Sequence, residues 1–111
     1  MGRKVLGISG SPIKDSNTDR LIKMVLQATE MEWDFIKLSE LNIHPCNACK
    51  GCVSDNVCKQ IDDWQGIADR VLGARALVIG GYAPYGSLDA RTKAFMERMY
   101  CFRHQKALSK G

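Results

Sequence analysis

Cys46, Cys49, Cys52 and Cys58 follow one another as C-x2-C-x2-C-x5-C. Sulfur at that density is costly to keep reduced and exposed unless something binds it. Thiolates are soft metal ligands, and Cys-only ligation with two-residue gaps is how a chain wraps an iron–sulfur cluster. Zinc is the nearest rival, although its sites more often use two separated C-x2-C pairs or Cys/His mixtures. Plain thiols and a disulfide framework are the remaining readings. His44, just ahead of the segment, reads as a surface-loop histidine. Cys101 stands outside the spacing and reads as a buried or half-buried thiol.

A second chemistry lies near the N-terminus, in Ser9-Gly10-Ser11-Pro12-Ile13-Lys14-Asp15-Ser16-Asn17-Thr18. Gly10 lets the chain turn tightly. Ser9, Ser11, Ser16 and Thr18 offer hydroxyls, Asn17 an amide, and a helix start behind them offers unpaired N–H groups. Such a turn suits a phosphate, and it lacks the spacing of a triphosphate loop or a dinucleotide fingerprint. The plainer reading is a capped turn, Ser16 to Asp19. A third segment, Gly80-Gly81-Tyr82-Ala83-Pro84-Tyr85-Gly86-Ser87, makes a shaped loop whose tyrosines can flank a planar ring. Ser87 is placed to cap the helix that follows.

Three strands and three helices must position these groups. Lys4–Ser9, Trp33–Leu38 and Ala76–Gly80 read as strands. Thr18–Glu30 carries Leu21, Ile22, Val25, Leu26 and Thr29 at helical spacing, Asp62–Gly73 carries Trp64, Ile67, Ala68, Val71 and Leu72, and Leu88–Tyr100 carries Leu88, Thr92, Phe95, Met96 and Met99. Asp89, Lys93 and Glu97 are spaced to pair on an outer face. Lys93 and Arg98 read as solvated, and Trp33, Trp64, Met24, Met31, Met96 and Met99 as core. His104 reads as a complement to a helix C-terminus. Strands alternating with helices call for a parallel α/β sheet, with ligands beyond the carboxyl ends of its strands.

With 111 residues, the chain holds one domain and a small core. Apolar residues at 45% and charged residues at 25% are those of an ordinary globular protein. No apolar run reaches membrane-spanning length, and Met1-Gly2-Arg3-Lys4 does not read as a signal peptide. Five cysteines without a secretory signal imply a reducing, cytoplasmic setting. The net charge of +4 is scattered over helical segments, which speaks for a solvated surface and against nucleic-acid binding.

KVLGISGSPIKDSNTDRL resembles the opening of the NADPH-dependent FMN reductase family of the flavodoxin-like superfamily. PCNACKGCVSDNVCKQIDD resembles the cysteine segment of its iron–sulfur flavoprotein branch, and YGSLDARTKAFMER the loop and helix after its third strand. The resemblance implies a flavodoxin-like three-layer sandwich. Residues 1–111 would form a single partial domain with the cysteine loop 44–60 inserted after strand two. It implies FMN, with the phosphate on Ser9, Ser11, Ser16, Asn17 and Thr18 and the ring against Pro84, Tyr85, Gly86 and Ser87. It implies a [4Fe-4S] cluster on Cys46, Cys49, Cys52 and Cys58. The function implied is electron relay between NAD(P)H or ferredoxin and an acceptor, without a general base. Tyr82 stands where the family usually has a proline, which comes here at Pro84. Family domains continue into a fourth and fifth strand, so the expected sheet order is 2-1-3 in a truncated or split member. A second copy or a complementing chain is expected on the strand-three edge. The alternative is a non-catalytic module, zinc-bound or metal-free, that assembles with a partner.

Overall fold

Three five-residue strands make the sheet, two of them apolar throughout or nearly so and the other mixing polar with apolar. In the computed structural model, which describes residues 3–105, these are β1 (Val5–Ser9), β2 (Trp33–Lys37) and β3 (Ala76–Gly80). All pairings are parallel in the order β2-β1-β3, and Ser9 stands level with Lys37 on one side and Gly80 on the other. The chain therefore leaves every strand at the same end. β1 is central and buried along its whole length, as a strand covered on both faces must be.

Helix α1 (Asn17–Ala28) covers one face. Its Ile22 and Leu26 pack with Val5 of β1, and Trp33, Phe35 and Val78 close around them. Gly7 permits this approach: a Cβ there would lie 2.6 Å from Leu26 Cδ1. Helices α2 (Trp64–Leu72) and α3 (Ala90–Arg98) serve the other face. Leu6, Ile8 and Ile36 meet Trp64, Ile67, Val71 and Phe95 there, with Cys52 and Cys101 in the same cluster. Trp64 sets its ring edge-on to Phe95 at 5.8 Å. Helix, sheet and helix layers give the flavodoxin-like α/β architecture, with the 2-1-3 order expected of it. No helix among the described residues is long and apolar enough to cross a membrane.

Several packing expectations fail, each for a physical reason. Leu21 and Met24 are 62% and 63% exposed and Val25 is also exposed, because the sheet covers only the Ile22–Leu26 stripe of α1. Leu88, Met31 and Met96 are exposed as well. Helix α3 starts at Ala90, after the cap Asp89, and gives way at Met99–Arg103 to a 3-10 turn. Asp89 is buried, so it is not an outer-face partner of Lys93; among the described residues no ion pair joins Lys93 to Asp89 or Glu97. Arg98 is no solvated residue: it is 1% exposed.

Candidate cofactor site

The hydroxyl-rich turn leaves β1 and enters α1. Ser16 is the N-cap, its Oγ accepting from Asp19 N–H at 3.1 Å. Asn17 and Thr18 begin the helix, and Asp15 ahead of them sits at φ 51, in the left-handed region. Ser9 faces inward. Its hydroxyl donates to Asp19 Oδ1 at 2.6 Å and accepts from Ser11 N–H at 3.3 Å. Ser11 Oγ accepts in turn from Ile13 N–H at 3.2 Å. Lys37 Nζ lies 2.6 Å from Asp19 Oδ2 and donates to Ile13 O at 2.7 Å, which ties the end of β2 to the turn. Burial by itself would raise the Asp19 carboxyl, but the Lys37 ammonium and the Ser9 hydroxyl outweigh it and hold the group below its ordinary range. Ser9 thus stands behind the turn, while Ser16, Asn17 and Thr18 stand at the helix mouth, where an anion meets unpaired N–H groups. Sequence reading took Asp19 only as the partner of the Ser16 cap, which the structure shows, and missed its carboxylate and Lys37. Lys37 is opposite Ser9 only through strand register, which the chain does not spell out locally.

The loop after β3 lies beside this turn. Asp89 caps α3 by accepting from Thr92 N–H at 3.0 Å. It also holds the loop base, accepting from Tyr82 N–H at 3.0 Å and donating its own N–H to Tyr82 O at 2.8 Å. The cap is therefore Asp89 and not Ser87. Gly10 N–H donates to Gly80 O at 2.9 Å. A Cβ on Gly10 would fall 1.9 Å from Thr92 Oγ1 and 2.7 Å from Asp89 Oδ2, so only glycine lets the α3 cap approach. Pro84, Tyr85, Gly86 and Ser87 form the exposed tip, with Gly86 at φ 71 and the Tyr85 side chain 94% exposed.

Cys46, Cys49, Cys52 and Cys58 line one cavity, joined there by Cys101, Glu97, Arg98 and Tyr100. Its volume of about 20 Å³ is room for one water. A larger guest requires outward movement of the exposed stretch around Cys49. Among the described residues no three Cys, His, Asp or Glu side chains close to metal-holding distance, so the thiols surround a shared space without meeting at a point. The segment bends through left-handed residues at Ala48, Lys50 and Asn56, with φ of 58, 62 and 59. Ala48 N–H donates to Cys46 Sγ at 3.4 Å. Buried Asn56 fastens the far side, donating from Nδ2 to the carbonyls of Phe102 and Gln105 and accepting from Gln105 N–H at 2.8 Å.

Crowding and burial hold the thiols of this cavity in their neutral form. Burial raises the Cys52 thiol, and the nearby thiols of Cys58, Cys46 and Cys49 add to the rise over an opposing backbone hydrogen bond. Burial first, then Cys58 and Cys52, push Cys101 up to about 11. Thiols crowded in this way resist ionising together, and a metal centre reverses that because its positive charge deprotonates coordinating thiols. Arg98 adds a fixed cation. Its Nη2 donates to Cys58 Sγ at 3.3 Å, and its buried Nε has no hydrogen-bond partner among the described residues. The donor set and the orphaned N–H both fit a sulfur-bound metal group. Arg98 and Asp62 were also missed as site residues. The available signal was spacing: Arg98 follows Phe95 by three and Ala94 by four, on the buried stripe of α3.

The two sites share one end of the sheet. Arg75 N–H donates to Lys4 O at the strand starts, so α2 begins at the opposite, carboxyl end, where Asp62 meets Arg98. Helix α3 spans the gap. Its cap, Asp89, touches the Gly10 turn, and Arg98, nine residues on, lines the cysteine cavity, a separation of about 13 Å along a helix.

Comparison with known proteins gives the chain's family and relatives. The family model for NADPH-dependent FMN reductases matches residues 3–110. The chain is 34% identical over 98 residues to an iron–sulfur flavoprotein of Methanocaldococcus jannaschii, covering 86% of this chain and 51% of that protein. It is 29% identical over 105 residues to an iron–sulfur flavoprotein of Methanosarcina thermophila, covering 92% and 55%. A similar protein from Archaeoglobus fulgidus is 28% identical over 108 residues, covering 95% and 49%. The chain spans about half the length of these relatives.

Proposed function

The chain belongs to the NADPH-dependent FMN reductase family, in its iron–sulfur flavoprotein branch, and from that membership we propose that it serves as an electron-transfer flavoprotein relaying electrons between NAD(P)H or ferredoxin and an acceptor. The observation that carries this reading is the pair of sites at the two ends of α3. In it, Ser11, Ser16, Asn17 and Thr18 meet the FMN phosphate, and Ser9 holds the turn from behind through Asp19. Pro84, Tyr85, Gly86 and Ser87 supply the wall for the flavin ring. Cys46, Cys49, Cys52 and Cys58 ligate a [4Fe-4S] cluster. When bound, FMN exchanges electrons singly or in pairs and the cluster exchanges them singly. The protein's own part is to place the two groups and present a cation to the sulfurs. No general base is assigned. The half-exposed β3 edge is covered by a second copy or a complementing chain, as an apolar edge requires.

Anaerobic purification from cells supplied with iron tests the reading. We expect flavin absorption bands together with iron and acid-labile sulfide. Zinc in place of iron, or a stable protein with neither flavin nor iron, would reject it in favour of an assembly module. Cys49→Ser should lose iron and keep the flavin bands. Unchanged metal content in that variant would leave an FMN protein whose cysteines hold no cluster.

A further inference from the structure

Arg98 is 1% exposed, and its guanidinium sits beside the cysteine cavity. A guanidinium has five N–H donors. Nη1 donates to His44 O at 3.1 Å and to Asp62 Oδ2 at 2.6 Å. Nη2 donates to Cys58 Sγ at 3.3 Å and to Gln60 O at 2.9 Å. All four Nη hydrogens are thus engaged, and every acceptor belongs to the cysteine segment or its flanks. The fifth donor, Nε–H, is buried and has no partner among the described residues. The guanidinium lies 5.7 Å from the Trp64 ring, which shields it from water. Asp62 is fixed as firmly, accepting also from His44 N–H at 3.0 Å and, through Oδ1, from Trp64 N–H at 2.9 Å.

A buried ion pair is a poor way to gain stability, since apolar residues of similar volume often do as well. This one also holds a donor on a thiol sulfur and leaves another without an acceptor, beside a cavity lined by four more cysteines. Hydrogen bonds to the sulfurs and nearby charge set the reduction potential of an iron–sulfur centre. An added electron spreads onto the sulfurs, so a fixed N–H donor and cation favour the reduced form. Asp62 orients that cation and partly cancels its charge.

We propose that Arg98 tunes the iron–sulfur group bound by Cys46, Cys49, Cys52 and Cys58, raising its potential through the Nη2–H to Cys58 sulfur bond, with Asp62 as the carboxylate that orients and moderates the guanidinium. This rests on the cluster reading above. Other residues could pin the loop, as Asn56 does; a donor and cation on a ligand sulfur also shifts the potential.

The test compares anaerobically reconstituted wild type, Arg98→Lys and Asp62→Asn. Iron and acid-labile sulfide are measured first. Each protein is then titrated with dithionite, which supplies the electron, while visible absorbance is followed. Arg98→Lys should stay loaded and shift at least tenfold toward the oxidised form, about 59 mV for a one-electron couple. Asp62→Asn should shift the opposite way, because it removes the moderating negative charge; a merely loosened loop gives no such opposition of sign. Loaded variants at the wild-type potential overturn this inference and leave the cluster reading intact. Loss of the cluster from both variants overturns it too, since Arg98 then only holds the loop. Wild type that takes up neither iron nor sulfide overturns the cluster reading itself, and this inference with it.

Discussion

Asp19 and Asp62 are buried carboxylates, each held beside a cation: Lys37 Nζ and Arg98 Nη1, both at 2.6 Å. Both titrate below the ordinary carboxylate range, because pairing and hydrogen bonds outweigh burial. A carboxyl whose folded pKa is depressed stabilises the protein above its unfolded pKa and loses that contribution as pH falls through the folded value. Urea unfolding followed from about pH 6 to about pH 3 should therefore show stability falling below about pH 4. Asp19→Asn should flatten that fall and lower stability at neutral pH by about 1–3 kcal/mol, the cost of leaving a half-buried lysine without its carboxylate. A variant as stable as wild type at neutral pH, with the same acid profile, would show that the pair carries nothing. The cysteines and the serine-rich turn were legible because type and spacing are local. Asp19, Lys37, Asp62 and Arg98 were not, because each acquires its role from a partner 18 or 36 positions away.

At the scale of elements, periodicity located the three strands and three α-helices of the described residues, because a short strand-like run and a helical stripe are both local signals. It erred on which stripe is covered. Leu21, Met24 and Val25 of α1 repeat as regularly as Ile22 and Leu26, and only the sheet decides between them. The same contrast separates two glycines. Gly10→Ala drives a methyl into Thr92 Oγ1 and the Asp89 carboxylate, so the α3 cap must retreat. That should cost about 1–3 kcal/mol and weaken FMN binding in a fluorescence titration, because the phosphate turn and the ring loop lose their contact. Gly66, in the first turn of α2, has open space where its Cβ would be. Gly66→Ala should stabilise by up to about 1 kcal/mol in thermal unfolding and leave flavin titration unchanged. If Gly10→Ala bound FMN as wild type does, the two loops would not act as one site.

Taken whole, the described residues form a sheet with two open edges and a helix whose outer face is apolar. β3 is half-exposed along Leu77–Gly80 and has a partner on its β1 side only among the described residues. Helix α1 lies over β1 and β3, with Ile22 and Thr18 placed against Gly80, so its exposed Leu21, Met24 and Val25 stand next to that edge. An unpaired apolar strand beside an exposed apolar helix face is a surface that recruits another polypeptide. In the pure protein the only polypeptide present is a second copy. Sedimentation should give a mass at least twice that of one chain, rising with concentration. Met24→Glu places a charge in the middle of the α1 stripe and touches neither the turn nor the cysteines. It should return the protein to a single chain with its helical circular dichroism intact and its flavin and iron content unchanged. A single-chain mass for wild type at every concentration would mean that this face and edge need no cover. A Met24→Glu protein that still associates would move the contact away from α1, to the cysteine side, where Met96 and Tyr100 are also exposed.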